Sequence, residues 1–310
     1  MITSARGRRS SVRRSVALAL AILPLGLAAC GDDDAEKDGT AAKAPAAPAA
    51  PAKLKITTSD AGEGFRTVAT KSIKGGLVEL TFTNGGKDPH EAQLVRIDGD
   101  HTTDEAVKAY SAEEGALPDW LRLTGGAGIA GPGQTATTTL NLEPGTYAML
   151  DDADFMGPVN SERGALASFE VTEGAPGELP KSTATVTGVD NKIGPPDHEF
   201  EASGLKLGKN RLRFENKGTE PHHVVMFPIL PGKSLEDVEK FFASERPSGP
   251  PPVDFAKAAG TAVLDGDAAE VTDLELRKPG PYALVCFLTD RDGKGKQHLS
   301  RGMIKEVEVN

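Results

Sequence analysis

The chain has 310 residues, 26% of them charged and 38% hydrophobic, enough to bury the cores of two ordinary domains. Aromatics make up only 5%, whereas Gly (35) and Pro (22) are frequent, a balance that favours turn-rich β architecture over helix packing. The net charge of −10 argues against non-specific nucleic-acid binding, and no nucleic-acid partner is expected.

Arg6, Arg8, Arg9, Arg13 and Arg14 precede an apolar run over 16–29 that ends Leu27-Ala28-Ala29-Cys30. A basic start, a short apolar core and small residues before a cut site predict an export signal over 1–29. Pro24 and the shortness of the run speak against a spanning helix. The Leu-Ala-Ala-Cys ending resembles a bacterial lipobox, which implies that Cys30 becomes the lipid-bearing N-terminus of the mature protein. Loss of 1–29 removes five arginines and no acid, taking the net charge from −10 to −15. Residues 30–53, with three consecutive aspartates and then Ala/Pro repeats, predict a flexible stalk. The expected location is therefore extracytoplasmic, lipid-anchored to the bacterial cell membrane. With Cys30 acylated, Cys286 is the one remaining thiol of an exported chain.

The remainder is one unit written twice. The segment from Gly76 through Asn84 to Pro89-His90 aligns with Gly208 through Asn216 to Pro221-His222, at an offset of 132 residues. Downstream, Thr102 to Tyr110 matches Ser234 to Phe242, Pro144-Gly-Thr-Tyr147 matches Pro279-Gly-Pro-Tyr282, and Gly164 to Val171 matches Gly302 to Val309. Four blocks in one order predict two domains, 54–174 and 182–310. Leu80 and Phe82, and Leu212 and Phe214, alternate with polar residues in the period-2 pattern of half-buried strands. Thr102 with Glu105, and Ser234 with Asp237, carry the capping-box pattern and predict one short helix in each unit. The expected fold is all-β, with each unit a Greek-key β-sandwich bearing one inserted helix.

The second unit holds a set of metal-ligand types. His222 follows Pro221 at a strand start, Cys286 ends a strand, His298 lies across a polar loop, and Met303 follows it. Two imidazoles, a thiolate and a weak thioether are the ligands of a type 1 copper centre, suited to rapid one-electron exchange.

The stretch Asn216-Lys-Gly-Thr-Glu-Pro-His222-His-Val-Val-Met-Phe227 resembles the first ligand strand of plastocyanin and other cupredoxins. Gly280-Pro-Tyr-Ala-Leu-Val-Cys286, with His298 to Val309, resembles their C-terminal ligand loop. The resemblance implies two tandem cupredoxin-like sandwiches and one type 1 copper ion in the second, held by His222, Cys286, His298 and Met303. It also implies that Asn216 and Pro221 shape the loop presenting His222. His223, pointing away in an extended strand, is then an outer residue, and His198 and His101 have no matching context. The interval from Cys286 to His298 is long for a small electron carrier. In the first unit His90 aligns with His222, but Asp151, Asn160 and Ala165 stand where Cys286, His298 and Met303 stand. No type 1 site is expected there. In the expected reading His90 orders its loop, the acids, Glu91, Asp151 and Asp152, form a solvated rim, and the unit serves partner binding or packing. A harder ion held by His90 with Glu91, Asp151 and Asp152 is the alternative.

Six histidines and no His-X-His pair argue against the multi-histidine cluster of the copper oxidases and nitrite reductases, so no enzyme activity is expected. The expected function is one-electron transfer to and from a redox protein partner, through a partly exposed edge of His298. A metal-free surface-binding module, or copper storage or delivery, are the alternatives.

Overall fold

Period-2 patterning builds strands where it occurs. In Gly76–Asn84 every second residue is buried, among them Val78, Leu80 and Phe82; Gly208–Asn216 buries Leu212 and Phe214 in the same way. The computed structural model describes residues 50–112, 116–151, 159–190, 196–244 and 247–310. The expected export signal, Cys30 and most of the expected stalk lie outside the described residues. The first strand, Ala52–Ala61, is already paired to Gly76–Asn84 from Ala52 onward.

Each half is a two-sheet β-sandwich. In the first, Gly64–Ala69, Ala52–Ala61, Gly76–Asn84 and Thr135–Leu142 are neighbours in one sheet. They face a second sheet ordered Ser72–Lys74, Ala167–Thr172, Gly145–Leu150, His90–Ile97, Leu121–Ala130. The second half repeats this with His198–Ser203, Ala184–Asp190, Gly208–Asn216 and Ala269–Leu276 in one sheet. Its other sheet runs Ala259–Gly260, Val225–Pro228, Gly280–Val285, Ile304–Val309. Both halves open with a strand lying parallel to a later one, Ala52–Ala61 beside Gly76–Asn84 with Leu54 opposite Leu80, and Ala184–Asp190 beside Gly208–Asn216 with Val186 opposite Phe214. The remaining pairings in the sheet that holds these strands are antiparallel, in keeping with Greek-key connections. The two short helices, Thr103–Tyr110 and Leu235–Phe242, start at Thr102 and Ser234, and both capping boxes form as the sequence predicts.

The first core is built from Leu54, Leu80, Phe82, Leu94, Tyr147 and Phe169. The second holds Val186, Phe214, Met226, Tyr282 and Leu284, and Cys286 and Met303 belong to the same apolar cluster. Both sulfur atoms are thus fixed by core packing.

The halves join edge to edge. Thr135–Leu142 pairs with Ala269–Leu276, Leu140 opposite Glu270 and Thr138 opposite Thr272, so one eight-stranded sheet crosses both. Behind this seam the buried Gln93 donates from Nε2 to the carbonyls of Gly125 and Val263 at 3.3 and 3.1 Å and accepts from the Val263 amide at 2.6 Å. The fully buried Glu270 accepts from the Gly126 amide at 2.9 Å, while its other carboxylate oxygen has no hydrogen-bond partner.

Burial pushes the Glu270 carboxyl up from its usual 4.5 to about 8, against the pull of the Gly126 amide. Between those values the folded chain holds a proton that the unfolded chain has released, so stability falls as pH rises through that window. Glu270→Gln should match wild type near pH 5 and exceed it near pH 9, by on the order of 2 kcal/mol or a few degrees in thermal midpoint. Thermal melts at the two pH values check this.

Candidate metal centre

The loop before His222 is shaped by Asn216. Its Nδ2 donates to the carbonyls of Glu220 at 2.7 Å and Leu264 at 2.9 Å, and its Oδ1 accepts from the Gly218 amide at 2.9 Å. His222 then exchanges a pair of 2.9 Å backbone hydrogen bonds with Leu264. Cys286 directly follows the strand Gly280–Val285, and His298 opens a 3-10 turn, His298–Arg301, closed by Gly302 at φ 111°. Three backbone bonds lock these positions together. The Cys286 amide donates to Met303 at 3.1 Å, the Leu299 amide to Cys286 at 3.0 Å, and the Met303 amide to His298 at 2.9 Å.

His222, Cys286, His298 and Met303 are all fully buried. His222 Nδ1 lies 3.1 Å from His298 Nδ1, and Cys286 Sγ lies 3.9 and 3.6 Å from those two nitrogens. The outer nitrogens are committed elsewhere: His222 Nε2 donates to Asp190 Oδ1, and His298 Nε2 donates to Asp290 Oδ1 at 3.1 Å. With each proton on Nε2, an assignment made from the hydrogen-bond network, both Nδ1 lone pairs point inward at each other and at the sulfur. Two like lone pairs at this separation repel unless a cation lies among them.

The spacing fits one ion. Two nitrogens about 2.0 Å and a sulfur about 2.3 Å from a common ion, at angles of roughly 100–130°, would lie roughly 3.1–3.9 Å apart. Met303 and the His222 ring both border Gly188: a Cβ added there would lie 2.8 Å from Met303 Cε and 3.1 Å from His222 Cδ2. Burial, then the neighbouring His222 and His198, push the His298 imidazole down to about 3, opposed by Asp290. Burial pushes the Cys286 thiol up to about 12, although the amides of His223 and Leu288 donate to its sulfur. Without metal the His298 ring and the Cys286 thiol are neutral, and a metal would have to displace the thiol proton.

Three residues around the donors have no signal in the ligand spacing. Asp190 ends the strand Ala184–Asp190 and pairs in register with His198. Burial raises its carboxyl, but the bonds from His222 and from the Thr219 and Glu220 amides hold it well below the usual range. His198, 2% exposed, stacks on His298 with ring centroids 4.2 Å apart and an interplanar angle of 28°. Its Nε2 has no hydrogen-bond partner and lies 3.9 and 3.7 Å from Asp190 Oδ1 and Asp290 Oδ1. Asp290 comes from the long loop between Cys286 and His298. The hairpin pairing of Asp190 with His198 was the one available clue, and it needs a register that sequence alone does not give.

Among the expected outer residues, Asn216 and the buried Pro221 stand on the His222 loop. His223 turns its side chain away from the donors, its Nε2 accepting from the Phe287 amide at 3.1 Å, while its own amide donates to Cys286 Sγ. The expected exposed edge of His298 is absent: the ring is fully buried beneath His198 and Asp290.

In the first half the same backbone carries other side chains. The Ser161 amide donates to Asp151 at 3.1 Å and the Ala165 amide to Asn160 at 3.0 Å, repeating the bonds around Cys286 and His298. His90 Nδ1 donates to Asp151 Oδ2 at 2.5 Å, and Asp151 Oδ1 accepts from Asn160 Nδ2 at 3.3 Å. Asp151 is fully buried rather than part of a solvated rim, and Asp152 lies outside the described residues. A hydrogen bond between His90 and Asp151 stands where the second half brings His222, His298 and Cys286 together.

No protein-family model and no characterised protein matches the sequence. Among solved structures, a multicopper oxidase aligns over 83% of this chain and 88% of its own, at 15% identity and TM-score 0.24. Dithionite-reduced auracyanin from the photosynthetic bacterium Roseiflexus castenholzii aligns over 41% and 94%, at 18% identity and TM-score 0.27. A copper nitrite reductase from Nitrosomonas europaea aligns over 83% and 94%, at 16% identity and TM-score 0.23. Scores this low add no weight, and the assignment rests on the strand order, the paired sandwiches and the ligand loop. The fold of both halves is cupredoxin-like.

One expectation is corrected. A non-enzymatic role was expected because no histidine cluster was legible, yet His198, His222 and His298 are all buried and offer one nitrogen each within 4.8 Å of the others. The similar solved structures also include enzymes, the oxidase and the reductase.

Because Cys286 is fully buried and its thiol protonated, iodoacetamide near pH 8 should label it at least about 100-fold more slowly in the folded chain than in denaturant. Peptide mass spectrometry of labelled Cys286 measures this. Fast labelling of the native chain would contradict the buried site.

Proposed function

We propose that the second half binds one copper ion through His222 Nδ1, His298 Nδ1 and Cys286 Sγ, with Met303 as a weak fourth ligand, and serves one-electron redox chemistry. The observation that carries this is the convergence of two inward Nδ1 lone pairs and one sulfur at 3.1, 3.6 and 3.9 Å. Two imidazoles with a thiolate and a thioether favour copper over harder ions, because soft sulfur ligands suit Cu(I) and imidazole suits Cu(II). Copper, when bound, would supply single-electron exchange between its two oxidation states.

The protein's own residues do the rest. Asp190 and Asp290 keep the protons on the outer nitrogens, so the inner nitrogens stay available as ligands. The core around Cys286 and Met303 excludes water and fixes the donors before metal arrives. The basic start, the apolar run and Cys30 support a lipid-tethered location outside the cytoplasm. The net charge of −15 after removal of 1–29 favours a redox protein partner that presents a basic patch, in a salt-sensitive encounter.

The visible spectrum of the chain with Cu(II), beside a Cys286→Ser variant, tests the assignment. An intense charge-transfer band in the wild type, absent from the variant, is expected. No band, with no copper retained after dialysis, would leave a metal-free binding module.

A further inference from the structure

The Cys286–His298 loop is longer than two ligands need, and its residues are occupied. Asp290 accepts from His298 Nε2 at 3.1 Å and receives Arg301 at 2.6 and 2.7 Å. Arg301 also grips Asp197 at 2.6 Å, beside His198 in sequence, whose ring covers the His298 face. One residue on, Arg291 leaves the second sandwich. Its guanidinium donates to the first-half carbonyls of Pro118 and Leu121, both at 3.1 Å, and to Asp265 at 2.5 Å. Its amide donates to Glu220 at 2.7 Å, and its carbonyl accepts from the Leu117 amide at 2.8 Å. The loop is thus tied down on both sides of the seam.

We propose that this loop, through Asp290 and together with His198 of the neighbouring strand, is a closed cover over the outer edge of the metal centre, and that the first half of the chain acts as its brace through Arg291. The inference rests on the copper site proposed above. Three features carry it. The candidate ligand His298 has no exposed edge, though a direct contact path for electrons would use one. The two carboxylates on the ligand imidazoles make those ligands more basic, which favours the oxidised ion. The degenerate half, whose own site is closed by His90 and Asp151, supplies backbone carbonyls to Arg291 where the ligand loop reaches across. Arg291 and Asp290 are positioning residues: they act through the loop and through His298.

Two rates and a potential test this on the full chain loaded with Cu(II). Arg291→Ala should lose copper to excess EDTA at least about tenfold faster than wild type, with the charge-transfer band unmoved. Asp290→Asn, which removes the anionic acceptor from His298, should lower the ratio of Cu(II) to Cu(I) affinity about tenfold, read as a rise of about 59 mV in reduction potential. Arg291→Lys replaces Arg291→Ala if the latter fails to fold, because it keeps the charge but cannot span the two carbonyls and Asp265. Equal release rates and an unchanged potential, with the wild-type band present, would overturn the cover while leaving the copper site standing. A wild-type chain without the band would fail the copper site itself, and the cover with it.

Discussion

Two imidazole nitrogens face each other across 3.1 Å in the second sandwich, with a buried sulfur beside them and a carboxylate behind each ring. With both ring protons assigned to the outer nitrogens, that arrangement is costly without a cation, because the two inner lone pairs are desolvated and face each other. Asp190 and Asp290 make it persist by holding the ring protons on the outside. The backbone bonds among Cys286, His298 and Met303 make it precise, since none of the donors can shift without breaking a strand or the 3-10 turn. Core packing around Met226, Tyr282 and Leu284 then seals the inner side.

The two halves show how one scaffold can carry a site or abolish it. The Asn84 and Asn216 side chains make the same bonds to their loops, Gly164 and Gly302 both close 3-10 turns in left-handed conformations, and the capping boxes coincide. What differs is a handful of side chains. Asp151 for Cys286 gives His90 Nδ1 a direct hydrogen-bond partner, while His90 Nε2 stays buried and unpaired. That half retains a structural task at the seam, where Gln93 and the carbonyls of Pro118 and Leu121 hold the second half and its ligand loop.

Much of this was legible in sequence because it is local or repeated. Alternation at Leu80, Phe82, Leu212 and Phe214 gave strands, Thr102 and Ser234 gave helix starts, and the ligand spacing singled out His222, Cys286 and His298, whose side chains the fold brings together. The outer layer was not legible because it depends on chain segments meeting in space. Asp190 and His198 become neighbours only through strand register, and Asp290 sits in a loop whose length looked like a departure rather than a component. The burial of His298 follows from those same three residues, so the exposed edge and the absence of a histidine cluster were misjudged together. Asp151 was taken for a rim residue because an aspartate in a loop is ordinarily solvated; its hydrogen bond to His90 reverses that.

The three buried histidines pose the sharpest alternative for how a metal would sit. X-ray absorption at the copper edge, on the chain loaded with one equivalent of Cu(II), separates the cases directly. A first shell with one sulfur and two imidazole nitrogens is the predicted result. A shell of imidazole nitrogens without sulfur would place the ion on His198, His222 and His298 and contradict the thiolate site.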